Sequence, residues 1–205
     1  MTIDRFANKA DRYEQNQNRV DNVANIAQAI LDTVQYQRDM HIIDFGSGTG
    51  LLLEKLAPHV RKITAVDTSP AMNRQLEEKR SRLACDLEVL EVDLVTTRVP
   101  LQVDGIVSSM TMHHIENIDA MFSTFHSMVR GGGFIAISDL DLEDGSFHSD
   151  DTGVFHHGFD RDAFARAALG AGFKQVQVAS ASVVHKPPRA YGVFLLTAIR
   201  PADRA

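Results

Sequence analysis

The chain has 205 residues, 44% of them hydrophobic and 23% charged, a globular balance that excludes a disordered chain and, at about 150 residues per domain, predicts a single domain over residues 1–205. The 21 Lys and Arg against 27 Asp and Glu leave a formal charge of −6, which argues against nucleic acid as a partner, because binding to a phosphate backbone needs clustered positive charge. One cysteine, Cys85, excludes an internal disulfide and a multi-cysteine zinc site. No apolar run approaches the roughly 20 residues that span a bilayer, and residues 1–6 carry Asp4 and Arg5 where a secretory signal would begin its apolar core, so no membrane and a cytoplasmic location are expected.

Residues 1–39 read as an N-terminal helical cap. The polar stretch 11–17 is a candidate lid, and Val20, Val23, Ala27, Ile30 and Val34 then recur at helical spacing, with Ala24 and Leu31 widening the stripe. Asn18 is the predicted N-cap of this helix, which should pack at a sheet edge. From residue 40, short apolar runs at 41–45, 62–67, 87–92, 105–109 and 134–138 alternate with amphipathic stretches at 51–57, 70–83 and 118–129. That alternation predicts a parallel sheet covered by helices on both faces, with residues 40–139 as its core. A long loop rich in Asp, His, Gly and Ser follows at 140–158, and loops of that length are functional or disordered. A helix is expected at 159–169, ended by Gly170 and Gly172. Two β-rich runs, 175–184 and 191–199, flank Lys186-Pro187-Pro188-Arg189 and should form an antiparallel pair.

The strongest chemical signal is Ile42-Ile43-Asp44-Phe45-Gly46-Ser47-Gly48-Thr49-Gly50: an apolar strand, an acid, and a glycine-rich turn that opens a helix. Glycines let a ligand approach the main chain, and the turn lies beyond the carboxyl end of a strand, where open sheets bind ligands. A dinucleotide site shows Gly-x-Gly-x-x-Gly, whereas here the spacing is Gly-x-Gly-x-Gly and position 51 is Leu. Asp44 would repel a pyrophosphate and welcome a cation.

Residues 44–50 resemble motif I of the class I S-adenosylmethionine-dependent methyltransferases. Ala65-Val66-Asp67-Thr68-Ser69-Pro70 resembles the family's second-strand end, whose acid binds the ribose hydroxyls; Glu91-Val92-Asp93-Leu94 resembles its third, with Asp93 facing the adenine amino group; 104–109 resembles the fourth-strand motif; and Arg130-Gly131-Gly132-Gly133-Phe134 resembles the turn before the fifth strand, with Gly132 where the family commonly has proline. The resemblance spans roughly residues 1–200. It implies an α/β three-layer, doubly wound, seven-stranded sheet of order 3-2-1-4-5-7-6 with the last strand antiparallel. It also implies S-adenosyl-L-methionine as donor and S-adenosyl-L-homocysteine as product, with Asp44, Gly46, Ser47, Gly48, Gly50, Asp67, Thr68, Asp93, Leu94 and Ser109 in the donor site.

His113 and His114 follow the fourth strand, where the family places residues beside the donor methyl. Imidazole titrates near neutrality, so His113 is the candidate catalytic residue, to be used where the acceptor must lose a proton; the pair would alternatively only orient its loop. His148, Asp150, Asp151, His156 and His157 cluster in the long loop. Their types suit a metal, but the spacing matches no named zinc motif, so a substrate-covering loop is favoured and no metal is expected. The other expected cover is 5–19, with Tyr13 and Arg19 as its side chains of interest. An Asn/Asp-Pro-Pro-Tyr-like motif, frequent in base and amide methyltransferases, is replaced by 108–113, Ser-Ser-Met-Thr-Met-His. A small-molecule acceptor is therefore expected. The competing readings are a nicotinamide-dependent oxidoreductase, which has the wrong glycine spacing and no evident Tyr-x-x-x-Lys pair, and a non-catalytic module that binds the same donor.

Overall fold

The computed structural model describes residues 4, 7, 9–148 and 153–203. In chain order the regular elements are α1 (Gln17–Thr33), β1 (His41–Phe45), α2 (Leu51–Leu56), β2 (Lys62–Asp67), α3 (Pro70–Lys79), β3 (Asp86–Glu91), β4 (Val103–Ser109), α4 (Ile118–Met128), β5 (Val129–Leu140), α5 (Arg161–Gly170), β6 (Lys174–Lys186) and β7 (Arg189–Ile199). The sheet order is β3-β2-β1-β4-β5-β7-β6, as expected. β1 to β5 run parallel, and β7 is antiparallel to both β5 and β6. Among the described residues, no helix is long and apolar enough to cross a membrane.

Alternating side chains of each strand feed two cores, because successive residues point to opposite faces. Ile42, Ile63, Ala65, Val107 and Ala136 face Ile26 and Ile30 of α1, Leu52, Leu53 and Leu56 of α2 and Leu76 of α3. Ile43, Phe45, Ile106, Ile135 and Ile137 face Met121, Phe122 and Phe125 of α4 and Phe164 of α5. The Phe164 ring meets those of Phe122, Phe159 and Phe194 at centroid distances of 4.7–5.1 Å. Covered faces of this kind explain why the strands read as nearly unbroken apolar runs. α1 packs against α2, β6 and β7, at the side of the sheet that ends in edge strand β6.

Four expectations needed correction. The N-cap of α1 is Asn16, whose side chain accepts a hydrogen bond from the Arg19 amide at 3.2 Å; Asn18 lies inside the first turn and its Nδ2 donates to the carbonyl of His185. Asn16→Ala should therefore cost about 1 kcal/mol of stability and Asn18→Ala less than about half of that, a difference that urea denaturation resolves. The helix expected over 70–83 ends at Lys79 and continues as a 3-10 turn, Arg80–Arg82. β5 begins at Val129, directly after α4, so residues 130–133 belong to the strand and not to a turn before it. β5 also runs to Leu140, past the expected strand end at Ser138 and into the loop expected from residue 140, and Asp141 then bridges to Phe159.

Candidate functional site

β1 pairs with β2 on one side and β4 on the other, so its carboxyl end is the point at which strand order reverses. The glycine turn leaves from there. Gly46, Gly48 and Gly50 have φ of +70°, +53° and +87°, the left-handed region that favours glycine. The Gly46 and Ser47 amides both donate to the Val66 carbonyl at 2.8 and 3.2 Å, tying the turn to β2. A Cβ built on Gly46 would overlap the Thr111 side chain, whereas one on Gly48 would meet nothing within 4 Å. Gly46 is therefore packed against the segment after β4, and Gly48 faces open space.

Asp67 ends β2 beside that space. Its Oδ2 accepts from the Gly48 amide and its Oδ1 from the Ser69 amide, both at 2.8 Å. Each carboxylate oxygen has two acceptor sites, so room remains for two hydroxyl donors. Burial raises the Asp67 pKa, and the two amides work against that rise. Asp44 is 1% exposed. Burial, reinforced by the Asp67 charge, pushes its pKa up to about 7. Its Oδ2, with Ser47 Oγ, Thr49 Oγ1 and Ser109 Oγ, is buried without a hydrogen-bond partner among the described residues. Unpaired buried polar atoms are costly, and these four belong to the end of β1, the glycine turn and the end of the neighbouring strand β4.

The remaining expected donor-site residues are less uniform. Thr68 is exposed. Asp93 spends its carboxylate on the turn it heads, accepting from the Val95 amide at 2.8 Å and the Thr96 hydroxyl at 3.3 Å, and Leu94 is buried in the core that includes Phe45 and Val66. Ser108, by contrast with Ser109, donates to the Phe45 carbonyl at 2.7 Å and joins β4 to β1.

The N-terminal segment lies on α3. Asp4 accepts from the Ser69 hydroxyl at 2.9 Å and the Ala71 amide at 3.4 Å. Ala10 and half-buried Tyr13, in a 3-10 turn spanning Ala10–Gln15, pack on Ala71 and Met72. The Arg19 guanidinium sits 3.9 Å over the Tyr13 ring and donates to the Tyr13 carbonyl at 2.6 Å. Burial raises the Tyr13 pKa, and the Asp67 charge adds to it. Tyr13 and Arg19 thus stand at the Asp67 end of the site; Arg5 lies outside the described residues.

A second constellation stands where β4 and β5 end side by side. His113, 2% exposed, places Nδ1 2.7 Å from Asp139 Oδ1, and its amide donates to Asp139 Oδ2 at 3.1 Å. The Leu140 amide donates to the same carboxylate at 2.7 Å. His114 and His148 lie against the His113 ring at centroid distances of 4.3 and 5.0 Å. The loop closes over them: the Phe155 and His156 amides donate to the His113 carbonyl, and His156 Nε2 reaches the Ile115 carbonyl at 2.9 Å. The loop histidines therefore take separate tasks, His157 lying 3.8 Å from Glu143, while Asp150 and Asp151 lie outside the described residues. Among the described residues no group of three or more His, Cys, Asp or Glu is set to hold a metal. Asp139 is the residue the sequence reading missed: it stood at the end of the expected core, 40–139, with no role assigned to it. The signal was available: parallel neighbours β4 and β5 deliver whatever follows their carboxyl ends to one place. A hollow of about 620 Å³ lined by Leu142, Glu143, Asp144, Arg189, Ala190 and Tyr191 lies beyond β5, at the start of β7 and away from the glycine turn.

The comparisons agree with this geometry. The family model for the methyltransferase domain matches residues 12–178. An uncharacterised methyltransferase of Schizosaccharomyces pombe is 28% identical over 72% of this chain and 56% of its own length; the chain spans about half the length of the curated relatives it matches. A chain from the complex between the Haloferax volcanii Trm112 methyltransferase activator and a methyltransferase superimposes with a TM-score of 0.78 at 17% identity, covering 98% of this chain and 100% of that one. The Haemonchus contortus phosphoethanolamine N-methyltransferase 2, complexed with phosphomonomethylethanolamine and S-adenosylhomocysteine, gives 0.69 at 15% identity over 96% of this chain and 60% of that one. These two structures share the fold; the family match reaches further, and by it the chain belongs to the class I S-adenosylmethionine-dependent methyltransferases.

Proposed function

We propose that the chain binds S-adenosyl-L-methionine at the glycine turn and transfers its methyl group to a small-molecule acceptor. The observation that carries this reading is a buried acid, Asp44, with unpartnered buried oxygens on the glycine turn that follows it, an open Gly48 in that turn, and Asp67 hydrogen-bonded to Gly48. The donor set fits a cationic nucleoside. Gly48 leaves space for it, Asp67 offers acceptor positions for vicinal hydroxyls, and Asp44 favours a positive charge. The same acid disfavours the pyrophosphate of a nicotinamide cofactor, which is why the oxidoreductase reading ranks below. When bound, the donor supplies an electrophilic methyl on sulfur.

The chain's own residues do the rest. Asp44, Ser47, Gly48, Ser109 and Asp67 orient the donor, with Thr68, Asp93 and Leu94 bordering its base. Tyr13 and Arg19 cover it, and the loop over His113 excludes water from the acceptor side. Holding two reactants in line is worth ~7–11 kcal/mol of a barrier. His113 is the proton acceptor where the nucleophile must lose a proton. Methylation of a metabolite-sized acceptor also agrees with the acidic net charge.

Isothermal calorimetry on the purified chain tests the reading. S-adenosylmethionine and S-adenosylhomocysteine should bind and NAD should give no heat; the reverse result overturns it. Asp67→Ala should weaken the donor roughly 10- to 150-fold, as expected for lost hydrogen bonds to a charged group. A chain that binds the donor yet never releases the demethylated product with any acceptor would be the non-catalytic module.

A further inference from the structure

We propose that the acceptor is a phenol, methylated on oxygen, and that the buried His113–Asp139 pair takes its proton. The inference rests on the methyltransferase reading and deepens it. An arylamine, neutral near pH 7, attacks first and sheds its proton afterwards, so it has no use for a buried proton acceptor. A hydroxyl must give up its proton as the new bond forms.

Asp139 accepts from His113 Nδ1, from the His113 amide and from the Leu140 amide. These contacts hold the proton on Nδ1 and leave Nε2 as the acceptor nitrogen, and Nε2 makes no hydrogen bond among the described residues. Thr111, two residues earlier, touches the glycine turn at Gly46, so the short turn that carries His113 starts beside the proposed donor site. Asp139 is thus a positioning residue acting through His113.

The groups that face His113 favour a developing anion. His114 comes from its own turn and His148 from the loop after β5. Burial, then the His113 and His114 rings and Lys186, lower the His148 pKa to about 4, so His148 is a neutral imidazole at physiological pH. Behind it stands Lys186 of β6, its ammonium 3.8 Å over the Phe147 ring and donating to the Phe147 carbonyl at 2.6 Å. Of the nearby carboxylates, Asp139 accepts from three N–H donors, and Glu143 caps the Phe147 amide at 3.0 Å through Oε2, its Oε1 being buried without a hydrogen-bond partner among the described residues. Aromatic side chains surround the histidines: Phe147 packs on His148 at 4.9 Å and on Tyr191 at 5.1 Å, and Phe155, whose amide is pinned to His113, is 57% exposed and free to meet a flat ring.

The step balances without a co-reactant. The phenol oxygen forms the new C–O bond as the S–CH3 bond breaks, sulfur keeps that electron pair, and the phenol proton passes to His113 Nε2 and then to solvent.

Two measurements on the full chain test this. The first needs no donor: a nitrophenol bound below its free pKa should show its phenolate absorption band with the wild type and not with His113→Asn, whose amide can still donate to Asp139. The second compares substituted phenols with matched arylamines at saturating S-adenosylmethionine. Phenols should yield methyl ethers; His113→Asn should cut that rate about 10²- to 10⁴-fold and erase the acid limb of its pH profile, with donor affinity and melting temperature kept. Asp139→Asn should shift that limb. Methylated arylamines at a rate indifferent to His113→Asn, or no ether from any phenol while the donor binds normally, would overturn the proposal and leave the donor-site reading standing. Failure of the donor itself to bind would defeat both.

Discussion

Asp44→Asn should make the ligand-free protein more heat-stable above pH 7 while removing most of its affinity for S-adenosylmethionine. The carboxyl is 1% exposed, and burial followed by the Asp67 charge raises its pKa from 3.8 to about 7. A folded-state value above the unfolded one means that the folded chain holds this proton more tightly. The resulting stabilisation is complete below about pH 4 and is lost as pH rises through 7. Above that, the ligand-free protein carries a buried carboxylate with an unpartnered oxygen, at a cost of a few kcal/mol. An amide in its place carries no charge. The donor reverses the balance, since its cation compensates the carboxylate; wild-type affinity should rise with pH and level off above about 7. Asp44→Asn should weaken the sulfonium donor at least about 100-fold at pH 8, and S-adenosylhomocysteine, without the sulfonium charge, less. Scanning calorimetry at pH 5 and pH 8 with donor titrations reads both effects. A variant that melts lower than wild type at pH 8 and still binds the donor normally would sink the assignment. Stability given up at a functional position is a common pattern, and under the proposed function Asp44 is such a position.

The same logic separates what was legible in the sequence from what was not. β1 and β2 were expected at 41–45 and 62–67 and occur there, because their apolar runs are bounded by a glycine turn and by Ser69-Pro70, signals that act locally. The Gly131-Gly132-Gly133 run misled for the opposite reason. Read alone, three glycines break a strand. In the fold, the Gly132 amide donates to the Arg200 carbonyl and the Arg200 amide to the Gly133 carbonyl, both at 2.8 Å, so a partner 67 residues away holds the run in the sheet. Asn16 escaped because several polar residues precede α1, and only the geometry of the first turn selects among them.

In the candidate site, the residues of the glycine turn lie close together in the sequence, and the partners of His113 do not. Asp44, the glycines and Asp67 sit within a short stretch of chain, so a spacing pattern alone singles them out. The His113–Asp139 pair joins residues 26 apart, and Phe147, His148, Phe155 and Lys186 reach it from a loop and from β6. Their meeting depends on which strands are neighbours, which no local pattern states.

Gly46→Ala and Gly48→Ala should separate the scaffold role of the turn from its ligand role. Both positions have positive φ, so each alanine costs about 1–2 kcal/mol in backbone strain. At Gly46 the new methyl also overlaps Thr111, adding about 1–3 kcal/mol of overpacking. At about 2–4 °C per kcal/mol for a chain of this size, Gly46→Ala should melt several degrees below Gly48→Ala. Thr111→Gly in the Gly46→Ala background should restore the overlap part and leave the strain, a coupling that a double-mutant cycle isolates. Gly48→Ala has no such conflict, because its methyl meets no protein atom within 4 Å; it enters the space beside Asp67 that the donor needs. It should therefore fold with a modest loss of stability and bind S-adenosylmethionine at least about tenfold more weakly, through lost room and a displaced Gly48 amide. Unchanged donor affinity in a well-folded Gly48→Ala chain would show that the ligand lies elsewhere, and the glycine turn would then be only a bend between β1 and α2.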